Sequence, residues 1–235
     1  MKRFYKDVTV EAVDGGFGVR LDGRAIKTVG GRPQIVPTQA LADALAAEWA
    51  GQGEEIDPAL FLYRDMADYA LDVVAGDRAG VIAETLPYAE TDTLCYRAEP
   101  DEAFAARQRM MWEPLLADAE TRLGVAFVRV TGIIHKPQPV ETLARLRVEL
   151  EGLNPFELAA LRNTTSLAAS LVIGLAALLP GADLDALWDA ANLEEDWQAE
   201  LWGKDAEAMD RREKRAAAFA AAARFAGMAR GRRAA

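Results

Sequence analysis

Cysteine and histidine are almost missing from this chain: its 235 residues hold one of each, Cys95 and His135. One cysteine cannot close an internal disulfide, which points to a reducing compartment, and it excludes a zinc site built on several thiolates. One histidine leaves a single imidazole for any Ser-His-Asp or Cys-His arrangement. His135 stands before Lys136-Pro137 in a predicted loop, with no Ser or Cys near it in sequence. Phosphate-binding loops are missing as well. There is no Gly-x-x-x-x-Gly-Lys-Ser/Thr, and Gly15-Gly16-Phe17-Gly18 falls in a turn between alternating segments, where turn geometry accounts for it. Residues 167–179 carry no charge, but at 1.5 Å per residue they cover roughly 20 Å of a hydrocarbon core about 30 Å thick. They read as a buried central helix, not a membrane span. The opening Met1-Lys2-Arg3-Phe4-Tyr5-Lys6 lacks the apolar run of a secretory signal, so a bacterial cytoplasmic protein, or a processed one, is expected.

What is abundant is alanine, carboxylate and apolar residues generally. Hydrophobic residues make up 51% and charged residues 27%, the balance of a chain with a sizeable core. The formal net charge of −10 argues against nucleic acid and anionic membranes as partners. The charge is uneven: residues 1–37 carry seven Lys/Arg against four Asp/Glu, residues 180–213 eleven acids against three bases, and residues 214–235 six bases and no acid. Such runs are commonly solvated helix faces; an acidic face that steers a basic partner is the sharper alternative.

Residues 5–36 read as an antiparallel meander. Val8 and Val10 alternate with polar neighbours, Asp14-Gly15-Gly16 turns, Phe17, Val19 and Leu21 alternate again, and Asp22-Gly23 makes a second tight turn. Thr38 caps a helix with Leu41, Leu45 and Trp49 on one face. The expected fold is therefore an α+β N-terminal domain, a small antiparallel sheet with a helix, over residues 1–76, followed by a larger all-α helical domain over 77–235. Within the second part, residues 101–123 are helical with Pro114 marking a kink or restart, and residues 94–97 and 126–130 are short extended pieces. Asn154-Pro155-Phe156-Glu157 starts a helix predicted to run to Leu179. Asp183 caps another to about Trp202, residues 205–229 form the last, and a frayed tail follows from Arg230 to Ala235.

On a continuous helix from Leu184, the residues Leu184, Trp188, Ala191 and Trp202 share one face with Glu195 and Gln198. A carboxylate inside an aromatic stripe either pairs with a base from another helix or belongs to a face that awaits a partner. Among Trp49, Trp112, Trp188, Trp197 and Trp202, at least three are expected in the core, although exposed tryptophan is also typical of interface hot spots. Cys95, between Leu94 and Tyr96, reads as a small buried hydrophobe. Carboxylate pairs such as Glu54/Glu55, Glu90/Asp92 and Glu194/Glu195 keep open an enzyme that uses two acids across a cleft.

The runs Lys2-Arg3-Phe4-Tyr5-Lys6, Leu21-Asp22-Gly23-Arg24, Lys27-Thr28, Val36-Pro37-Thr38, Glu48-Trp49, Thr91-Asp92-Thr93, Cys95-Tyr96-Arg97, Gln108 with Trp112-Glu113-Pro114, Leu193-Glu194-Glu195 and Trp202-Gly203 occur in order. Together they resemble the assembly chaperones of the F-type ATP synthase α subunit; Val29-Gly30 departs from the family's pattern. The resemblance implies a non-enzymatic, ATP-independent chaperone without cofactor or metal. It would be a monomer when free and would hold the free α subunit until the β subunit replaces it. It implies the bacterial cytoplasm, or the mitochondrial matrix for organellar relatives. It also implies that an acidic residue of the helical domain, here Glu194 or Glu195, matters for function. The candidate client-binding residues are thus Glu194, Glu195, Gln198, Trp188, Trp202, Trp49 and Trp112. A carboxylate-pair enzyme and an adaptor of another complex are the competing readings.

Overall fold

The computed structural model describes residues 1–132, 134–203 and 205–230, which fall into two compact units. The first gathers Met1–Arg78, Asn154–Ala160 and the described residues from Ala221 onward; the second gathers Ala79–Leu153 and Leu161–Ala220. The chain passes from the first unit to the second after Arg78 and returns to the first unit twice. Aromatic packing explains the returns: Phe225 stacks on Tyr63 with ring centroids 6.4 Å apart and also meets Phe156 at 6.1 Å. Such pairings are remote in sequence, so composition along the chain does not reveal them.

In the first unit, β1 (Val8–Val13) pairs antiparallel with β2 (Gly16–Leu21), which pairs in turn with β3 (Arg24–Ala25) and β4 (Ile35–Val36). The β2–β3 hairpin needs two residues with positive φ, and Asp22 (49°) and Gly23 (78°) supply them. Helix α1 (Gln39–Ala50) starts at Thr38, whose hydroxyl accepts from the Leu41 N–H and donates to the Met228 carbonyl. Leu41, Ala42, Leu45 and Trp49 of α1 are buried, as are Val19, Leu21 and Val36 of the sheet. A short 3-10 turn at Pro58–Leu60 leads to α2 (Leu62–Tyr69), which passes into one π-helical stretch, Ala70–Val74.

The second unit is mostly helical. After α3 (Arg78–Thr85) and two 3-10 turns comes the strand β5 (Tyr96–Arg97), parallel to β6 (Val130–Thr131). These are the two extended pieces expected at 94–97 and 126–130, now shortened to two residues each. Between them α4 (Ala103–Leu123) runs unbroken through Pro114 and ends on Gly124 in the left-handed conformation. Arg129, just before β6, pairs with Glu113 and Glu120 of α4. Helix α5 (Val140–Gly152) then leads to α6 (Pro155–Ala168), opened by the expected capping box: Asn154 accepts from the N–H groups of Phe156 and Glu157, and Glu157 accepts from the Asn154 N–H.

The helix expected from 154 to 179 is two helices. Ala169 has φ of +49° and Ser170 caps α7 (Leu171–Ala177) by accepting from the Ile173 N–H. The turn folds the chain back so closely that an added Cβ on Gly174 would lie 2.3 Å from Thr165 Oγ1. Among the described residues no helix is long and apolar enough to cross a membrane. A second correction concerns the helix from Leu184. It stops as α8 (Leu184–Ala191) and restarts as α9 (Leu193–Trp202), with buried Asn192 between them. Trp112 donates its indole N–H to the Ala190 carbonyl at 2.8 Å, and the Asn192 side-chain amide donates to the Trp188 carbonyl four residues back, so one tertiary and one local donor take up acceptors at the break. The last helix, α10, is Ala206–Arg230. The frayed tail expected after Arg230 lies outside the described residues.

Candidate client-binding surface

Two short helices and the start of α10 build an open cleft of about 340 Å³ in the second unit. Its apolar floor is Trp188, Ala199, Ala208, Met209 and Ala216, and Asp189, Glu195, Asp205 and Glu213 bring carboxylates to it. From α10 the contributors 208, 209, 212, 213 and 216 recur at helical spacing, which puts them on one face. Asp205 caps that helix by accepting from the Ala208 N–H. Arg212 brings a cation to the cleft; it pairs bidentately with Asp196 and lies 3.7 Å from Asp189, so it ties α10 to α8 and α9.

The sequence candidates divide. Trp188 and Glu195 meet in this cleft as the stripe predicts, although the break at Asn192 means that they stand on different helices. Trp188 is buried against Phe219 (5.4 Å between centroids), and its indole N–H finds no partner among the described residues. Glu195 is well exposed, with Arg215 at 3.9 Å. Of the two explanations for a carboxylate in the stripe, solvent exposure therefore dominates over burial with a paired base. Glu194 and Gln198 are exposed on α9, and Trp202 is 79% exposed beside Leu201 at 58%. Trp112 is a core residue, 1% exposed, with its N–H satisfied and Phe104 edge-on at 6.4 Å. Its burial is the reason that it offers a client no surface. Trp49 is likewise buried, and belongs to the first unit. Three of the five tryptophans are thus core; Trp197 is partly exposed, stacks on Phe104 at 5.5 Å and carries Arg107 over its ring, which with the Arg107–Glu200 ion pair fastens α9 to α4.

Sequence reasoning missed Asp189, Arg212, Met209 and the alanines of α10. The signal available was the acid-rich composition of residues 180–213, together with the spacing along α10. A continuous helix from Leu184 to Trp202 would present its own stripe, whereas the cleft lies between α8, α9 and α10.

The groups suited to other chemistry are engaged elsewhere. Burial pushes the Cys95 thiol up to about 12, so it is a packed hydrophobe and not a nucleophile. Burial also pushes up Glu48, Asp68 and Asp92, the last to about 6. Each accepts backbone N–H bonds: Glu48 from Tyr63 and Arg64 at the start of α2, Asp68 from Val29, and Asp92 from Leu94 and Val172. These carboxylates hold turns and helix ends.

A sequence profile of the ATP12 chaperone protein family matches residues 2–120. The mitochondrial protein atp12 of Schizosaccharomyces pombe is 26% identical over 223 residues, which span 89% of this chain and 77% of that protein. The crystal structure of Atp12 from Paracoccus denitrificans is similar with a TM-score of 0.91 at 36% identity, over 97% of this chain and 98% of that one. A candidate chaperone of Agrobacterium tumefaciens gives a TM-score of 0.92 at 40% identity, over 97% and 85% of the two chains. Half of the sequence matched by one profile, and nearly the whole fold shared at more than a third identity, establish that the chain belongs to the ATP12 family of ATP synthase assembly chaperones.

Proposed function

We propose that this protein binds the free α subunit of the F-type ATP synthase without using ATP, and shields its subunit interface until the β subunit takes that place. An unassembled subunit of an obligate complex exposes a large apolar face, and such a face aggregates unless it is covered. The observation that carries the proposal is the cleft of α8, α9 and α10. It joins an apolar floor to several carboxylates, and Leu201, Trp202 and Met209 are exposed in the same stretch of chain. Apolar contact would supply affinity, while the carboxylates would steer a basic flank of the client and limit how tightly other surfaces bind.

The test is aggregation of purified α subunit, followed by light scattering with the chaperone at near-stoichiometric ratio, with and without ATP. The wild-type protein is expected to suppress scattering equally in both conditions. Glu195→Lys is expected to weaken suppression several-fold while leaving the unfolding midpoint in place, since Glu195 is exposed and its ion pair with Arg215 is long at 3.9 Å. Suppression that requires ATP, or that Glu195→Lys leaves intact, would contradict the respective part of the proposal.

A further inference from the structure

A second cleft, of about 490 Å³, opens in the first unit beside the β2–β3 hairpin. Its apolar lining is Phe4, Leu21, Ile26 and Trp49, and Arg24 and Lys27 stand at it as exposed cations. Three observations separate it from ordinary surface. Phe4, a large aromatic, is 63% exposed and lines the cleft beside Leu21 and Ile26. Trp49 is only 9% exposed, yet its indole N–H finds no hydrogen-bond partner among the described residues. Buried donors are nearly always satisfied, so an unpaired one on a residue that lines the cleft is a donor that an occupant could engage. The charge is also opposite to that of the whole chain. The protein carries −10 overall, whereas residues 1–37 have three more bases than acids. The carboxylate at this cleft, Asp22, already accepts the backbone N–H groups of Lys6 and Asp7, which hold it below the usual carboxylate range. Asp22 therefore stays ionised, and Arg24 and Lys27 outnumber it at the cleft by two cations to one anion.

We propose that this cleft docks an extended acidic segment of the client. The segment has an aliphatic or aromatic side chain that covers Phe4 and Leu21, flanking Asp or Glu side chains that meet Arg24 and Lys27, and a main-chain or carboxylate oxygen that accepts from Trp49 Nε1. The sheet runs β1-β2-β3, so β3 is a terminal strand, and an extended chain is the shape that fits along it. The inference deepens the chaperone reading and rests on it for the identity of the client, but the chemistry of the occupant follows from the cleft itself. It also gives Trp49 a role different from that of the aromatic residues on α9.

Two measurements decide it. In the first, the full chain is labelled with ¹⁵N, the Trp49 indole resonance is assigned with Trp49→Phe, and two end-capped hexapeptides are titrated: Asp-Glu-Leu-Phe-Glu-Asp and Lys-Lys-Leu-Phe-Lys-Lys. The acidic peptide is expected to move the Trp49 resonance downfield, at least tenfold more tightly than the basic one. The double variant Arg24→Glu/Lys27→Glu is expected to abolish that preference. An unmoved resonance up to millimolar peptide, or equal binding of both peptides, overturns the proposal. In the second, the same double variant is compared with wild type in holding the α subunit; loss of at least half of the suppression is expected, and suppression equal to wild type overturns it. Should the wild type itself fail to hold the α subunit, the chaperone reading falls, and the peptide titration still decides the nature of the cleft.

Discussion

Asp92 should make this protein more stable in mild acid than at neutrality as far as that one group is concerned, and the size of the effect follows from its surroundings. The side chain is fully buried. One oxygen accepts from the Ser170 hydroxyl at 2.7 Å and the Leu94 N–H at 3.1 Å, and the other accepts from the Val172 N–H at 3.0 Å. Burial outweighs these donors and raises its pKa to about 6. In the unfolded chain the same carboxyl titrates near 3.9. Between these values the folded state binds the extra proton, so the contribution of Asp92 is fully present below about pH 4 and is lost as pH rises through about 6. A difference of about two units corresponds to roughly 3 kcal/mol. Asp92→Asn removes the titration but turns an amide N–H toward the Val172 N–H, so its overall level should drop by about 1–3 kcal/mol. The diagnostic quantity is therefore the slope. Urea unfolding of wild type and Asp92→Asn, followed by tryptophan fluorescence at pH 4.5, 5.5, 6.5 and 7.5, should give stabilities that converge as pH rises. Other carboxylates contribute equally to both proteins and cancel. Parallel curves across that range would refute the reasoning, and would mean that the three donors keep the carboxylate charged at all these pH values.

Two further substitutions probe the packing. Gly174→Ala places a methyl 2.3 Å from Thr165 Oγ1 and 3.1 Å from the Thr165 backbone, and should cost about 1–3 kcal/mol in urea unfolding. Thr165→Ala, which deletes a buried hydroxyl without a partner among the described residues, should be nearly neutral alone and should recover part of that loss when combined with it. Trp112→Phe leaves the Ala190 carbonyl without its indole donor and a void behind the smaller ring, and should destabilise by about 2–4 kcal/mol in the same assay.

Local signals in the sequence located most elements, because the forces that set them are local. Asp22-Gly23 fixes a hairpin through backbone conformation alone, Thr38 and Asn154 cap with their own side chains, and alternation in Phe17, Val19 and Leu21 reflects one buried sheet face. The sequence misled where a distant partner decides. Nothing near Asn192 says that Trp112 will occupy the Ala190 carbonyl. The client-binding candidates suffered for the same reason. Trp112 and Trp202 carry the same side chain, and only the fold makes one a core residue and the other a 79% exposed one. Glu195 was found from its place on a helix, but the cleft that it faces is made by α10, whose contribution depends on Arg212 reaching Asp196.

The burial of Cys95 has a practical consequence. With a pKa of about 12, its thiolate fraction at pH 7 is on the order of one part in 10⁵, against about 3% for an unperturbed thiol, and its sulfur has no solvent contact. The native chain is therefore silent toward maleimides and iodoacetamides. A reporter thiol introduced by Gln198→Cys on α9 or Ala25→Cys on β3 would take a fluorophore or spin label alone, so the neighbourhood of each cleft can be watched separately while the client arrives and departs.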